Sequence, residues 1–405
     1  MNHHAREYGR HPSLAKYLSK DGLDVTLFSA SYIHNTFEET KTYKNKEYYI
    51  EEEINGYERV YIKTPKYKTN GIKRLINQIA FAYYSYKRGK EKIATETTPE
   101  VIIGSSVHLF TGISAYLLAK KANAKFIFEI RDVWPQTLID LGTLKKNSIV
   151  TKLFQKMEKY LYKKADLIIS VLPNAEEHIT KYNINKDKIV HLPNGIDINN
   201  HEKALQTKFI AKEAVQYFRE KKDSFIVTYT GAHGIANGLD TLLTTANLFK
   251  KEPQIQFLLV GDGPEKENLI QQATDMNLDN VTFLNRVEKN QVNHILKHSD
   301  ICLFHLNKTP VFKYGISSNK LFDYMISGKP MIFAVETSSN FVEKSGNGIS
   351  IEPENPSEMK KAILKLQSLN NKDLNEMGVN GIKYVNENHD LKKISLKLKN
   401  YIINK

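Results

Sequence analysis

Short apolar runs of strand length recur along the chain, and apolar residues at helical spacing lie between them. In the first half, runs at 24–28, 101–103, 125–130, 167–169 and 189–192 read as strands. A second series starts at 225–229 and continues at 257–260, 281–284, 301–304 and 331–335. After its first strand, Leu239, Leu242, Leu243, Ala246 and Phe249 fall on one helical face. Apolar strands separated by helices predict parallel sheets covered on both faces. Two such series predict an α/β chain of two Rossmann-like, doubly wound domains. Pro193-Asn194-Gly195 closes the first series and a charged, weakly periodic stretch follows. The expected organisation is therefore 1–200, 201–385 and a C-terminal helix over 386–405 able to cross back to the first domain. One strand is missing from the pattern. The helical residues Leu14, Tyr17 and Leu18 come almost at once, and no strand precedes Ala5. A first sheet without its opening strand would expose costly unpaired edges, so a start further upstream is expected.

Composition narrows the setting. With 41% hydrophobic and 25% charged residues the chain is ordinary for a globular protein. Cys302 is the only cysteine, so no intramolecular disulfide forms. It lies in an apolar strand pattern and reads as a small buried hydrophobe, which suits a reducing cytoplasm. Residues 1–6 carry no apolar signal region, and no run of ~18 apolar residues suggests a transmembrane helix.

The net charge of +13 admits three partners: nucleic acid, an anionic membrane or phosphorylated substrates. Basic residues are densest at Lys63, Lys66, Lys68, Lys73 and Arg74, and again at Lys87, Arg88, Lys90 and Lys92. Between them Ile72, Leu75, Ile76, Ile79, Tyr83 and Tyr86 share a helical face. A basic amphipathic helix with tyrosines suits an anionic bilayer. The alternative is a core-facing helix with a solvated basic rim. The second basic run, from Lys145 to Lys164, reads as the wet face of a helix. No zinc-finger, basic-zipper or RNP-type pattern occurs, so no nucleic-acid partner is expected.

Ligands of open α/β folds sit at strand-to-helix turns. Gly231-Ala232-His233-Gly234, with Gly238 beyond, follows a strand. Such glycines let backbone N–H groups approach phosphate, although a tight turn alone accounts for them equally well. In the segment 317–330, Ser317 or Ser318 caps a helix, Lys320 faces any anion at its end, and Asp323 follows one turn on. Phe128-Glu129-Ile130-Arg131-Asp132 ends a buried strand in charge, at the edge where function would lie. Trp134, the only tryptophan, reads as core.

At these residues the chain resembles a family 4 glycosyltransferase of the GT-B type. It is similar in particular to bacterial capsule and O-antigen enzymes that use amino-sugar nucleotides, such as N-acetylfucosaminyl transferases. The matching segments include 128–135, 193–197, 229–239, 260–264, 283–287 and 317–330. The resemblance implies a UDP-sugar donor, a lipid-diphosphate-linked sugar acceptor, retention of anomeric configuration and no metal or other cofactor. It implies that the loop of Gly231, His233 and Gly234, with Lys320 and Asn319, holds the diphosphate. Asp323 would bind the ribose, and the backbone at Arg286 and Val287 the base. Arg131 and Asp132 would lie beside the donor sugar. Three positions depart from the family: its first acidic residue falls on Gly315, and two basic residues of the phosphate loop fall on Ala232 and Asn237. The expected setting is the cytoplasmic face of the membrane. A nucleotide-sugar 2-epimerase of the same architecture, or a non-catalytic subunit of an assembly complex, are the alternatives.

Overall fold

A computed structural model describes residues 9–34, 36–68 and 71–403. The expectations about residues 1–6 and about a strand before Ala5 lie outside these. The described chain forms two compact units, Gly9–Pro193 with residues 392–403, and Asn194–Leu391.

The first unit opens on helix Arg10–Lys20, whose Leu14, Tyr17 and Leu18 are buried. Its strands are β1 (Thr26–Ala30), β2 (Tyr32–Ile33), β3 (Glu38–Glu39), β4 (Tyr49–Ile54), β5 (Tyr57–Ile62), β6 (Val101–Ser105), β7 (Lys125–Ile130), β8 (Leu167–Ser170) and β9 (Ile189–His191). β6-β7-β8-β9 form a parallel sheet, β1-β5-β4 a second sheet, and β2-β3 a short ribbon. Phe126, Ile127, Phe128 and Ile130 of β7 are buried, as the continuous apolar run requires.

The β4–β5 hairpin is a strand pair that the periodicity did not reveal. Its signal is local: Ile54 pairs with Tyr57, leaving the two-residue loop Asn55-Gly56, with φ of +52° and +86°. Two positive φ values define the type I′ turn that Asn-Gly favours. Gly56→Ala is expected to cost about 1 kcal/mol, because alanine adopts positive φ poorly. A denaturant titration measures it, and an unchanged midpoint would show that the turn tolerates a side chain.

The second unit carries β10 (Phe225–Ala232), β11 (Ile255–Asp262), β12 (Val281–Leu284), β13 (Ile301–His305), β14 (Met331–Ala334) and β15 (Gly348–Ile351). All pair in parallel, in the order β12-β11-β10-β13-β14-β15. Leu239, Leu242, Leu243, Ala246 and Phe249 are all buried in its core. Cys302 is fully buried in β13, and burial pushes its thiol up to about 12, so it is an inert core residue. Helix Leu391–Ile403 packs in the first unit, where Ser395 donates to Leu14 O and Lys399 to Asp21 O. Among the described residues no helix is long and apolar enough to cross a membrane.

Candidate functional site

In the second unit the strand order reverses between β10 and β13, the kind of point at which open α/β sheets bind ligands. The loop after β10 is tied to the end of β13. His305 Nδ1 lies 2.8 Å from Asn237 O, and Asn307 donates to Ala236 O and Ile235 O. Gly238 has φ +53°, and a Cβ there would lie 1.8 Å from Asn307 Oδ1, so only glycine fits. The loop also rests against the turn after β11. A Cβ at Gly263 would lie 2.4 Å from His233 O. Several of these glycines therefore serve close packing. Gly231 is different: a Cβ there would touch Lys320 Cδ and Tyr229 Oη at 3.4 Å, so its bare backbone borders the lysine.

Lys320 lies in the first turn of helix Asn319–Ile326. Its Nζ donates to Tyr229 Oη at 3.0 Å and Asn237 Oδ1 at 2.6 Å, and lies over the rings of Tyr229 and Phe304. Every one of these partners is uncharged. Burial without a counter-anion pushes its ammonium down to about 7. Tyr229 is itself buried and donates to Ala232 O, and burial raises its phenol well above the ordinary range. Tyr229 was not anticipated, although it stands two residues before Gly231 and on the same strand.

The expected serine cap is absent. Ser318 occupies the cap position, but its hydroxyl makes no cap hydrogen bond. Ser317 instead accepts from Asn194 N at 3.2 Å, and its carbonyl accepts from Asn194 Nδ2. This helix start therefore carries no side-chain cap; Leu321 N–H turns back to Ser318 O, and Asn319 is exposed. Asp323 does not join Lys320. It is buried and ion-paired to Lys289, at the start of helix Lys289–His298, a partner that nothing in the pattern announced. Gly315, where the family's first acid would fall, has φ +92° and is buried, so its place requires glycine and not a carboxylate.

His233 is fully buried between Tyr229 and Phe283, with neither ring nitrogen bonded. Burial, and then Lys266, push its imidazole down to about 4, so it is neutral and contributes no cation. Its backbone binds the Asp262 carbonyl and receives Glu265 N–H, which fixes the loop. Gly234 is half-buried, Arg286 exposed, and Val287 half-buried against the core beside it.

In the first unit, Glu129 is 3% exposed and fully engaged. Arg10 Nε reaches its Oε1 at 2.7 Å, His11 Nε2 its Oε2 at 2.6 Å, and Ser105 Oγ its Oε2 at 2.7 Å. Arg10 also donates to the carbonyls of Leu192 and Pro193, tying helix, β7 and the end of β9 together. The charge of the 129–132 segment thus divides. Glu129 is a structural ion pair, while Arg131 is half-buried and Asp132 exposed at the carboxyl end of β7. Arg131 N donates to Ser106 Oγ at 2.9 Å, which stitches that end to β6. Trp134 is only half-buried, with its ring edge-on to Phe154.

Residues 13–200 match the family described as Glycosyltransferase Family 4, and residues 224–368 match Glycosyl transferases group 1. The chain is 23% identical over 267 residues to the probable glycosyltransferase WbjE of Pseudomonas aeruginosa, covering 65% of this chain and 64% of WbjE. It is 23% identical over 299 residues to the putative colanic acid biosynthesis glycosyl transferase WcaI of Escherichia coli, covering 71% and 70%. The match to WbjE thus spans just under two thirds of that protein. Among solved structures, sucrose-phosphate synthase from Thermosynechococcus elongatus superposes with a TM-score of 0.71 at 17% identity, over 96% of this chain and 91% of that one. Anabaena HepE in complex with UDP and glucose gives 0.65 at 13%, over 100% and 98%. The fold is therefore the two-domain, Rossmann-like GT-B architecture. With both halves matched to glycosyltransferase families, the chain is placed among the GT-B glycosyltransferases.

Proposed function

We propose that this chain transfers a sugar from a UDP-linked donor to a lipid-diphosphate-linked saccharide in cell-surface polysaccharide synthesis, at the inner face of the membrane. The donor sugar is read as an N-acetylated amino sugar, transferred with retention and without a metal ion. The carrying observation is Lys320: a desolvated lysine with only neutral partners, beside Gly231 and an uncapped helix start, at the point where the sheet order reverses. Departure of a nucleoside diphosphate builds negative charge on phosphate, and a preorganised cation with backbone N–H groups stabilises it. Asp323, held by Lys289, is read as the ribose acceptor, with the backbone at Arg286 and Val287 near the base. Arg131 and Asp132 are read as lying beside the donor sugar, with Asp132 orienting the acceptor or Arg131.

The relatives support the class of donor and product. HepE was solved with UDP-glucose, WcaI is named for colanic acid biosynthesis, and a Staphylococcus aureus relative is named a poly(ribitol-phosphate) alpha-N-acetylglucosaminyltransferase. The curated relatives are all named as glycosyltransferases, which speaks against the 2-epimerase.

Thermal melts with UDP, GDP and a panel of UDP-N-acetylamino sugars test the reading. A ligand at ~100 times its Kd adds about 2.7 kcal/mol. Stabilisation by the UDP compounds and not by GDP is expected, and an unmoved melt with every nucleotide would overturn the donor assignment.

A further inference from the structure

Helix Ile72–Thr95 is amphipathic in the reverse sense. Its buried face is made of Asn77, Ala82, Ser85, Arg88 and Gly89, while Ile72, Ile76, Ile79 and Tyr83 point outward and Leu75 and Phe81 are half-buried. Gly89 packs so closely on Leu118 of helix Leu109–Ala122 that a Cβ would lie 2.7 Å from it. Ile72 (77% exposed), Ile76, Ile79 and Tyr83 form the outer stripe. At 100° per residue they fall within about 60° of one another. Four large apolar side chains on one stripe of a helix whose inner face is already packed have no folding purpose.

A second exposed apolar set lies on another helix of the same unit. Helix Ile149–Lys164 turns Phe154, Leu161 and Tyr162 inward, and exposes Ile149 (87%), Val150 and Leu153 in its first turns. The basic run over this helix is therefore not merely a wet face, as the sequence suggested. Beneath these exposed sets, on the inward sides of the two helices, runs a ladder of rings. Phe81 meets His108, His108 meets Phe110, and Phe110 meets Phe154, each at about 6 Å between centroids. Val107, at the foot of the ladder, is also exposed.

Charge says what covers this surface. Residues 63–90 hold eight lysines or arginines and residues 141–157 hold four, and neither segment contains an aspartate or glutamate. Lys66, Lys68, Lys73, Lys145, Lys146 and Lys152 are exposed. Arg88 is the exception to the expected basic face: it is buried and forked onto Glu51 and paired with Glu96. Exposed aliphatic side chains ringed by lysines, with acids excluded from both segments, complement an anionic bilayer better than a protein surface of mixed charge.

We infer that the outer stripe of helix Ile72–Thr95 and the first turns of helix Ile149–Lys164 together form one docking surface for anionic lipid. This deepens the membrane-face reading above and shares its setting. Binding is measured with no sugar present, so a failure to dock and a failure to transfer are separate results.

The test is co-sedimentation with vesicles of phosphatidylglycerol in phosphatidylethanolamine, against vesicles of phosphatidylcholine alone. Three double variants are compared: Ile72→Ser with Ile76→Ser, Ile149→Ser with Leu153→Ser, and Lys73→Glu with Lys152→Glu. All six side chains are exposed, so unchanged melting temperatures are expected. The wild type should partition onto the anionic vesicles only, and each double variant should lose at least tenfold of that partition. Retained binding in the Ile149/Leu153 variant would overturn the two-helix surface. Equal binding to both vesicle types, or none to either, would overturn the lipid assignment. A dimer in sedimentation equilibrium that the serine variants dissociate would overturn it in favour of a second copy.

Discussion

Lys320→Ala is expected to lower kcat/KM by about 10²–10³ and to abolish stabilisation by UDP, while leaving the free protein as stable as the wild type or more so. The first half follows from losing one preorganised donor to developing charge, typically about 2.7–4 kcal/mol of transition-state stabilisation. The second follows from the lysine's surroundings. Its ammonium is desolvated against Tyr229, Asn237 and Phe304 and pairs with no carboxylate among the described residues, so in the free protein it is a liability that alanine removes. A merely structural lysine gives the opposite pattern, a lower melting temperature with activity falling in step. The pH dependence has a definite sign. The free-state value near 7 lies below the ordinary lysine value of 10.5, so part of the population is neutral at pH 8. If the diphosphate requires the ammonium, binding takes up a proton, and affinity falls as pH rises above about 7. Calorimetry in buffers of different ionisation enthalpy measures that uptake directly. Zero proton uptake at pH 8 would remove Lys320 from the diphosphate.

How much of this was legible in the chain differs between fold and site, for physical reasons. The parallel sheets were legible because buried strands are continuous apolar runs, as in 125–130 and 257–260. The β4–β5 hairpin was not, because Tyr49–Ile54 carries three glutamates in a row and only the Asn-Gly turn marks it. Helix Ile72–Thr95 was legible as a helix, but its direction was not. Period alone does not say whether the isoleucine stripe or the small-residue stripe faces in. Lys320 and Gly231, which the structure sets side by side, stand out in the sequence because glycine turns and helix starts have local signatures. The groups that hold the site do not. Asp323 meets Lys289 across 34 positions, and Glu129 meets Arg10 across 119. Such pairings are set by the sheet order and leave no spacing to read.

The Arg10–Glu129 pair carries the largest expected effect on stability. Arg10 lies 4% exposed, with its fork divided between a buried carboxylate and two strand-end carbonyls. Truncating it to alanine leaves Glu129 at 3% exposure with only His11 and Ser105. Breaking one side of a buried pair costs about 3–5 kcal/mol, mostly through the charge left behind. Arg10→Ala is therefore expected to lower the melting temperature by roughly 10 °C. Adding Glu129→Gln should recover part of that loss, because the stranded charge is gone. Burial alone would raise the Glu129 carboxyl, but His11 and Arg10 hold it well below its ordinary value of 4.5. A depressed carboxyl contributes stability that is complete above the unfolded value and is lost as pH falls through the folded one. Wild-type stability should thus drop steeply below about pH 4.5, and Arg10→Ala should flatten that limb. Denaturant midpoints at a series of pH values measure both slopes. Parallel limbs in wild type and variant would mean that Arg10 acts through its backbone contacts and not through the carboxylate.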